Sequence, residues 1–305
     1  MDVTQLRSLD DADRRPIVTL LERAAGADGH FALNDDAWMQ FQRPATDHFA
    51  AFVGIEGGHD HLIGYAQVSR SDDASWTLHT VIDPHHRFGA ANDVCALIEP
   101  ALDFVHGSDG GAVTYWVSHP SPAHDELAAR YGFHRSRDLL QMRIDLPLSE
   151  HTDLTTRPFI VGRDEAAWVE VNNRAFAWHP EQGGWTVDAL VRREAEPWFD
   201  PAGFLLHELD GRLAGFCWTK VHTDPVPMGE IYVIAVDPDF AGRGLGRKLT
   251  VAGLASLAQR GSTLGMLFVD ADNVPAVSLY EKLGFRRNHI NRSYISGQVG
   301  EHTSE

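Results

Sequence analysis

The stretch EIYVIAVDPDFAGRGLGRKLT (230–250) decides the fold. Within it the run IYVIAV is apolar and rich in β-branched residues, which is typical of a buried strand. An Asp-Pro pair ends this strand, and three glycines (Gly242, Gly244 and Gly246) open an apolar helical pattern. Glycines at a strand-to-helix turn let backbone N–H groups approach a phosphate, and the helix N-terminus adds about half a positive charge. The stretch predicts a site for a pyrophosphate-bearing ligand, with a ligand-free glycine-rich turn as the alternative.

Two other phosphate-binding motifs do not fit this stretch. A P-loop requires Gly-Lys-Ser/Thr, whereas Gly246 is followed by Arg247 and Lys248. A dinucleotide fingerprint requires G-x-G-x-x-G directly after a strand in a βαβ unit. Here the glycines follow the pattern G-x-G-x-G, and a predicted hairpin comes before the strand.

The same landmarks occur a second time, earlier in the chain. An Asp-Pro after an apolar strand is found at Asp83 and at Asp237, 154 residues apart. A Gly-Phe turn is found at Gly132 and at Gly284, 152 residues apart. With the two strands of a hairpin and a late strand, five landmarks recur in the same order with nearly constant spacing. The sequence therefore predicts a tandem duplication of one α/β unit.

Each half has the predicted element order α-α-β-β-β-α-β-α-β. The first helical patterns run from Arg14 to Ala25 and from Glu165 to Phe176. This order predicts a mixed α/β (α+β) fold in which helices pack on a mixed sheet. A polar join between the halves predicts an N-terminal domain at 1–148 and a C-terminal domain at 149–305.

Composition narrows the class of protein. The 305 residues include 26 Lys and Arg against 43 Asp and Glu, so the formal net charge is −17. Binding to nucleic acid or to an anionic membrane is not expected, because both need clustered cations. Only two cysteines, Cys95 and Cys217, are present, which favours a reducing compartment. We expect a cytoplasmic monomer with no signal peptide and no membrane span.

Several histidines of the first half are close in sequence, but their spacing matches no metal-ligand pattern. They are His59, His61, His79, His85 and His86. We therefore expect no metal.

The second half resembles the GNAT superfamily of acyl-CoA-dependent N-acyltransferases. Ala241 to Gly246 is similar to its Q/R-x-x-G-x-G/A motif for the CoA pyrophosphate, although Ala241 departs from the usual Gln or Arg. The stretch DADNVPAVSLYEKLGF (270–285) resembles its second hallmark, an Asn after a strand followed by Ala and Tyr in a helix. The resemblance implies two tandem GNAT domains.

Four further stretches are similar to the mycothiol synthase family: HPEQGGW (179–185), EPWFDPAGF (196–204), FCWTKVH (216–222) and GEIYVIAVDP (229–238). This resemblance covers essentially the whole chain and is looser in the first half. It implies transfer of an acetyl group from acetyl-CoA to the cysteinyl amine of desacetylmycothiol, a small-molecule acceptor.

Amine acylation needs a neutral amine and a protonated leaving group. An α-amino group has a pKa of about 8, so a carboxylate acting directly or through water suffices as base. Glu230 is the candidate base, and a solvated strand-end acid is the alternative. Tyr280 is the candidate acid for the CoA thiolate, and a half-buried core tyrosine is the alternative.

The resemblance also implies acetyl-CoA contacts from a strand, the glycine loop and a later helix. In the second half they are Ile234, Ala235, Val236, Ala241, Gly242, Arg243, Gly244, Leu245, Gly246, Arg247, Asn273, Val274, Pro275, Ala276, Val277 and Ser278. The first-half counterparts are Thr80, Val81, Ile82, Phe88, Gly89, Ala90 and Ala91. Glu230 aligns with Trp76 and Tyr280 with Ala128, so we expect the first half to bind acetyl-CoA without catalysing.

Acceptor contacts are expected from strand residues near the base and, as the resemblance implies, from the loop before the second helix of each half. They are Asp35, His179, Glu181, Gln182, Lys220, Glu230 and Phe268. The alternatives are a helix-capping run at Asp35, a structural hydrogen bond at His179, a solvated Lys220 and a core position for Phe268.

Two other functions fit parts of the same sequence. A tandem acetyltransferase acting on an aminoglycoside or another amine would share every motif except the acceptor residues, and the net charge suits a cationic acceptor. A non-catalytic acyl-CoA sensor would suit the first half, but Glu230 and Tyr280 argue against it in the second.

Overall fold

The computed structural model describes residues 1–6, 9–44, 48–55, 61–70, 75–87, 91–179, 182–223 and 227–297. The first-half elements are β1 (Asp2–Leu6), α1 (Asp11–Asp28), α2 (Asp35–Gln42), β2 (Phe49–Ile55), β3 (Gly64–Arg70), β4 (Trp76–Ile82), α3 (Ala91–Gly107), β5 (Val113–Ser118), α4 (Pro122–Arg130) and β6 (Phe133–Asp145). The second-half elements are β7 (Arg157–Pro158), α5 (Glu165–Ala175), α6 (Val187–Glu194), β8 (Phe204–Leu209), β9 (Arg212–His222), β10 (Met228–Val236), α7 (Leu245–Gln259), β11 (Leu264–Asp270), α8 (Val274–Leu283) and β12 (Arg286–Ser296).

The predicted mixed α/β class and the repeated element order are confirmed. Each half has one strand more than predicted, because β1 and β7 come before the first helix. The pattern of β1 is polar and β7 has only two residues, so neither gives the alternation that predicts a strand. None of the described helices combines the length and apolar character needed to cross a membrane.

The chain forms two compact units. The first unit contains Met1–Leu140, Asp270–Asp272 and His289–Glu305, and the second unit contains Gln141–Val269 and Asn273–Asn288. The boundaries of these units therefore cut through β6 and β12. The division at residues 148 and 149, drawn from the repeat, remains a prediction.

The first unit has strand order β1-β2-β3-β4-β5-β12. Its strand β2 reads as one apolar run because both faces of the sheet are covered. Phe49 packs in the core under α1 and α2, whereas its neighbour Ala50 packs in the core under α3. Residues of β12 from Asn291 to Ile295 pair with β5 in antiparallel register.

The second unit has strand order β11-β10-β9-β8-β7. An aromatic core lies under α5, where Phe204 and Trp218 stack with ring centroids 4.4 Å apart. Helix α7 covers the other face and approaches the sheet closely. A side chain at Gly229 would lie 2.7 Å from Leu257, and glycine there permits the contact.

One ion pair occurs at the same place in both halves. Arg23 on α1 contacts Asp83 at 2.7 Å, and Arg174 on α5 contacts Asp237 at 3.2 Å. Each aspartate also accepts the backbone N–H two residues later and so caps a short 3₁₀ turn. This repeated arrangement fixes how the strand ends before the predicted phosphate loop.

Candidate functional site

In the second unit, β10 and β11 separate into a cleft where the acetyl-CoA contacts of β10 are predicted. β10 and β11 pair in parallel from Gly229 to Ile231, but β10 continues to Val236. The register between β10 and β9 shifts next to Tyr232, and a bulge of this kind turns a strand away from its neighbour. Within the described residues, the backbone of β10 after Ile231 has no register partner on β11. This is where Ile234, Ala235 and Val236 lie.

The glycine loop at the start of α7 has a left-handed backbone. Gly242 has φ of 76° and Gly244 has φ of 73°, values that glycine adopts without steric cost. Gly244 is the N-cap of α7, and it has no side chain to accept from the first N–H groups. Those N–H groups and the helix dipole together can hold an anion. The predicted contacts Leu245 and Gly246 belong to this first turn, and Ala241 and Arg243 flank the glycines.

Two cations beside this loop are paired with acids of the polar stretch that comes before the second half of the repeat. The Nε of Arg247 donates to Glu150 at 2.9 Å, and Lys248 Nζ lies 2.8 Å from Asp153. The Lys248 ammonium holds the pKa of Asp153 below its usual value. All four groups are exposed or nearly so, and a bound phosphate would compete with these acids for the cations.

Helix α8 carries the second hallmark. Asn273 is its N-cap, and the side chain accepts from the Ala276 N–H at 3.3 Å. Val274 and Pro275 are exposed, Ser278 is half-buried and Val277 is buried. Tyr280 is 8% exposed, and burial raises the pKa of its phenol. Tyr280 is therefore protonated at neutral pH, and its hydroxyl can donate a hydrogen bond.

Glu230 is buried and paired with a histidine. Its side chain is 9% exposed, and its Oε2 lies 2.6 Å from Nε2 of His222, which is itself buried. The alternative interpretation, a solvated strand-end acid, is wrong. The register places Glu230 opposite Lys220, so His222 lies two residues further along β9 on the same face. Sequence reasoning missed His222, although its period-two spacing from Lys220 was a usable signal.

Lys220 lies against aromatic rings. Its Nζ is 4.3 Å from the ring centroid of Trp198 and 5.5 Å from that of Tyr232. The residue is 5% exposed, so the solvated alternative is wrong. The Tyr232 hydroxyl accepts from Arg193 Nε at 3.2 Å, which fixes the ring. A cation held over aromatic faces beside Glu230 gives this side of the site a positive charge.

The loop after α5 is anchored by two consecutive asparagines. Asn172 donates to the backbone oxygen of Gln182 at 2.7 Å, and Asn173 makes two hydrogen bonds with the Trp185 backbone. Nδ1 of His179 accepts from the Gln182 N–H at 3.0 Å. Glu181 lies outside the described residues. Sequence reasoning missed the two anchoring asparagines, because no local motif marks them.

The side chain of Phe268 on β11 is 37% exposed. The alternative interpretation as a core residue is therefore wrong, because an aromatic ring in the core would be covered. An exposed phenylalanine on the strand that borders the cleft can contact a ligand.

The first unit repeats the early end of parallel pairing seen in the second unit, but a tryptophan takes the place of Glu230. β4 and β5 pair in parallel only from Trp76 to His79, so Thr80, Val81 and Ile82 lie beyond the paired stretch. Trp76 stands where Glu230 stands in the second half, fully buried, with its indole N–H donating to Gly110.

The remaining predictions for the first half concern the position that corresponds to Tyr280, the acceptor contact Asp35 and the phosphate loop. Ala128, at the position of Tyr280, is 1% exposed. Asp35 follows the N-cap Asn34, whose side chain accepts from the Ala37 N–H. Phe88, Gly89 and Ala90 lie outside the described residues, as does the side chain of Ala91.

The chain is similar to several acetyltransferases. It is 40% identical to a mycothiol acetyltransferase of Acidimicrobium ferrooxidans over 283 residues, covering 90% of each chain. It is 43% identical to a mycothiol acetyltransferase of Thermobispora bispora, covering 92% of this chain and 95% of the relative. It is 38% identical to a mycothiol acetyltransferase of Streptomyces coelicolor, covering 96% and 94%.

Solved structures share the fold. A GCN5-related N-acetyltransferase from Sphaerobacter thermophilus has a TM-score of 0.73 at 20% identity, covering 99% of this chain and 98% of that chain. A tandem GNAT protein from the clavulanic acid biosynthesis pathway has a TM-score of 0.72 at 17% identity, covering 100% and 99%. Residues 168–285 match the acetyltransferase (GNAT) family. The chain thus belongs to the mycothiol acetyltransferase family, within the GNAT acetyltransferases.

Proposed function

We propose that this chain transfers an acetyl group from acetyl-CoA to the cysteinyl amine of desacetylmycothiol, giving mycothiol and CoA. One observation carries the proposal. A buried carboxylate, Glu230, lies on the strand that leads from the unpaired cleft to the glycine loop. This arrangement combines a base with an anion-binding helix start, and the name mycothiol acetyltransferase of the relatives supplies the acceptor.

Acetyl-CoA would bind along β10 and the glycine loop. The N–H groups of the first turn of α7 would hold the pyrophosphate, with Gly242 and Gly244 letting the backbone approach it closely. The unpaired edge of β10 at Ile234, Ala235 and Val236 would hydrogen-bond the pantetheine arm and the thioester oxygen. Asn273, Ala276 and Ser278 would lie along the other side of the arm.

Glu230 would take the proton from the attacking amine, directly or through one water. The amine nitrogen forms a bond with the thioester carbonyl carbon, and the carbon–sulfur bond breaks. Tyr280 would give its phenolic proton to the departing CoA thiolate. His222 would hold the Glu230 carboxylate in place through its 2.6 Å contact.

The acceptor would bind on the side of the cleft that carries Lys220. The Lys220 ammonium would donate to sugar or inositol hydroxyls, and Phe268 would pack against the acceptor. The loop with His179, Glu181 and Gln182 would form the outer side of the acceptor site. For Asp35, contact with the acceptor remains a prediction.

The first unit would hold acetyl-CoA without catalysing. Its strand geometry repeats that of the second unit, but Trp76 replaces the base and Ala128 replaces the acid. The reaction would take place in the cytoplasm on a single chain. The two buried free cysteines are consistent with a reducing compartment.

The proposal is tested by measuring CoA release from acetyl-CoA with three acceptors. They are desacetylmycothiol, the same molecule with its cysteinyl amine blocked, and a set of aminoglycosides. We expect release with desacetylmycothiol alone. Equal release with the blocked molecule would move the reaction from the amine to the thiol or a hydroxyl, and release with aminoglycosides alone would replace the acceptor. Acetyl-CoA binding without any release would support a sensor instead.

A further inference from the structure

Three histidines of the first unit come together although they are 89 and 170 residues apart in sequence: His30, His119 and His289. One ligating atom from each lies within 4.8 Å of the others. Their ring centroids are 4.1 to 5.1 Å apart. The proposed acetyl transfer uses none of these three side chains.

Ordered backbone places each of the three rings. His30 follows Gly29, the left-handed C-cap of α1, and is 4% exposed. His289 lies on β12 and is 5% exposed. His119 directly follows β5, and its N–H donates to the Ile290 oxygen at 3.0 Å. The cluster therefore joins a helix end and two neighbouring strands.

His119 adopts a backbone conformation that is uncommon for a residue with a side chain. Its φ is 52°, in the left-handed region. Such a conformation is strained for a residue with a side chain and persists where the surroundings require it. Here it keeps the exposed ring of His119 next to the two buried rings.

A hydrogen bond fixes the tautomer of His30. Its Nδ1 lies 2.8 Å from the Phe31 backbone oxygen and must donate to it, because a carbonyl only accepts. The lone pair of the neutral ring is then on Nε2. Histidines that ligate metals usually donate their other N–H to a carbonyl or carboxylate in this way.

We propose that His30, His119 and His289 form a binding site for a first-row divalent transition ion, with zinc as the natural occupant. Three imidazole nitrogens and one water are a common tetrahedral zinc environment. Zinc–nitrogen bonds of about 2.0 Å put the ligand atoms about 3.3 Å apart. Because the three ligating atoms lie within 4.8 Å of one another, each pair closes by at most about 1.5 Å on the ion, chiefly through the exposed ring of His119. The ion would clamp the end of α1 to β5 and β12.

Zinc titration of the chelator-treated full chain, followed by calorimetry and thermal unfolding, tests the site. We expect one saturable zinc per chain and a higher Tm with zinc. In His119→Gly the affinity falls at least 100-fold and the Tm shift disappears. Glycine accepts a φ of 52° without strain, so this variant keeps its backbone. His119→Asn, which also tolerates that conformation, serves as a second variant.

The control is His134→Ala, which removes an exposed histidine of β6 in the same unit. It should bind zinc as the unaltered chain does. The proposal is overturned if the unaltered chain shows no saturable site. It is also overturned if His119→Gly and His134→Ala bind zinc equally well, because that result means uptake by scattered surface histidines.

Discussion

Glu230 and His222 are the residues on which the proposed chemistry depends most closely. The sequence identified Glu230 through the strand that leads to the glycine loop. It did not identify His222, because the contact depends on the cross-strand register between β9 and β10. The register of β9 against β10 decides which side chain lies beside Glu230. That register depends on the bulge in β10 and on the hairpin, which are features of the folded chain.

His222→Gln tests whether His222 positions the base. Glutamine keeps a polar side chain but loses the short contact, so we expect kcat to fall roughly tenfold. The affinity for acetyl-CoA should stay unchanged. If His222 acts through Glu230, adding His222→Gln to Glu230→Gln should lower kcat no further than Glu230→Gln alone. Multiplicative losses in the double variant would mean a merely structural role.

Lys220→Met tests the acceptor side of the cleft. Methionine keeps the packing on Trp198 but removes the ammonium, and a hydrogen bond to a charged group is worth about 1.5 to 3 kcal/mol. We expect the acceptor KM to rise about tenfold or more while acetyl-CoA affinity is unchanged. Steady-state kinetics with each substrate varied separately gives both values. A rise in acetyl-CoA KM instead would remove Lys220 from the acceptor site.

The glycine loop and the strand ends are the elements that the sequence predicted best. Glycine spacing reports a backbone requirement directly, and Gly242 and Gly244 both have positive φ. The loop that carries His179 was predicted to contact the acceptor. Its anchoring by Asn172 and Asn173 was not predicted. An asparagine in a helical pattern indicates only a polar position. The groups that its amide contacts become visible only in the folded chain.

Gly244→Ala tests whether the start of α7 binds acetyl-CoA. Alanine in the left-handed region costs about 1 to 2 kcal/mol, and the loop must shift to relieve it. We expect roughly tenfold weaker acetyl-CoA binding, measured by calorimetry.

The matched control is Gly261→Ala, just beyond the other end of α7. Gly261 also has positive φ (92°), and like Gly244 it has open space where a side chain would lie. It should lose similar stability and keep full acetyl-CoA affinity. Equal loss of affinity in both variants would mean that strain in α7, and not the loop, controls binding.

Asp164 gives the start of α5 an acid-sensitive anchor. Burial opposes its ionisation, but Arg157, Arg163 and the Ile160 N–H lower its pKa to about 2. The unfolded value is about 3.9, so the anchor stabilises the fold by about 2 kcal/mol above pH 4. This contribution is lost as the pH falls towards 2.

Asp164→Asn should therefore be less stable than the unaltered chain at pH 7, and the difference should shrink between pH 4 and pH 2. Urea unfolding at a series of pH values measures it. Glu170→Gln, which changes an exposed acid on the same helix, should leave the curve unchanged. A difference that is constant with pH would contradict the assigned linkage.

At the scale of the whole molecule, the tandem repeat was readable from the sequence. Five landmarks with nearly constant offset predicted two similar halves, and the paired contacts of Arg23 with Asp83 and Arg174 with Asp237 repeat at the same positions. The boundaries of the two compact units fall inside β6 and β12, and His289 of β12 belongs to the first unit. The local sequence pattern predicts that β12 is a strand, but it does not predict which of its residues belong to which unit.

The histidine cluster shows the same limit at long range. Spacing arguments considered only histidines that are neighbours in sequence, such as His85 and His86. His30, His119 and His289 are brought together by a helix end and by the pairing of β5 with β12. A site assembled from such distant segments leaves no local motif to find.

The central claim is that the cleft of the second unit acetylates the cysteinyl amine with Glu230 as base. The most direct test is a single turnover of the full chain with isotope-labelled acetyl-CoA and desacetylmycothiol, with fragment masses locating the label. We predict label on the cysteinyl nitrogen. We also predict that Glu230→Gln slows its appearance about 100-fold or more while acetyl-CoA affinity is kept. Label on another atom, or an equally fast Glu230→Gln chain, would contradict the claim.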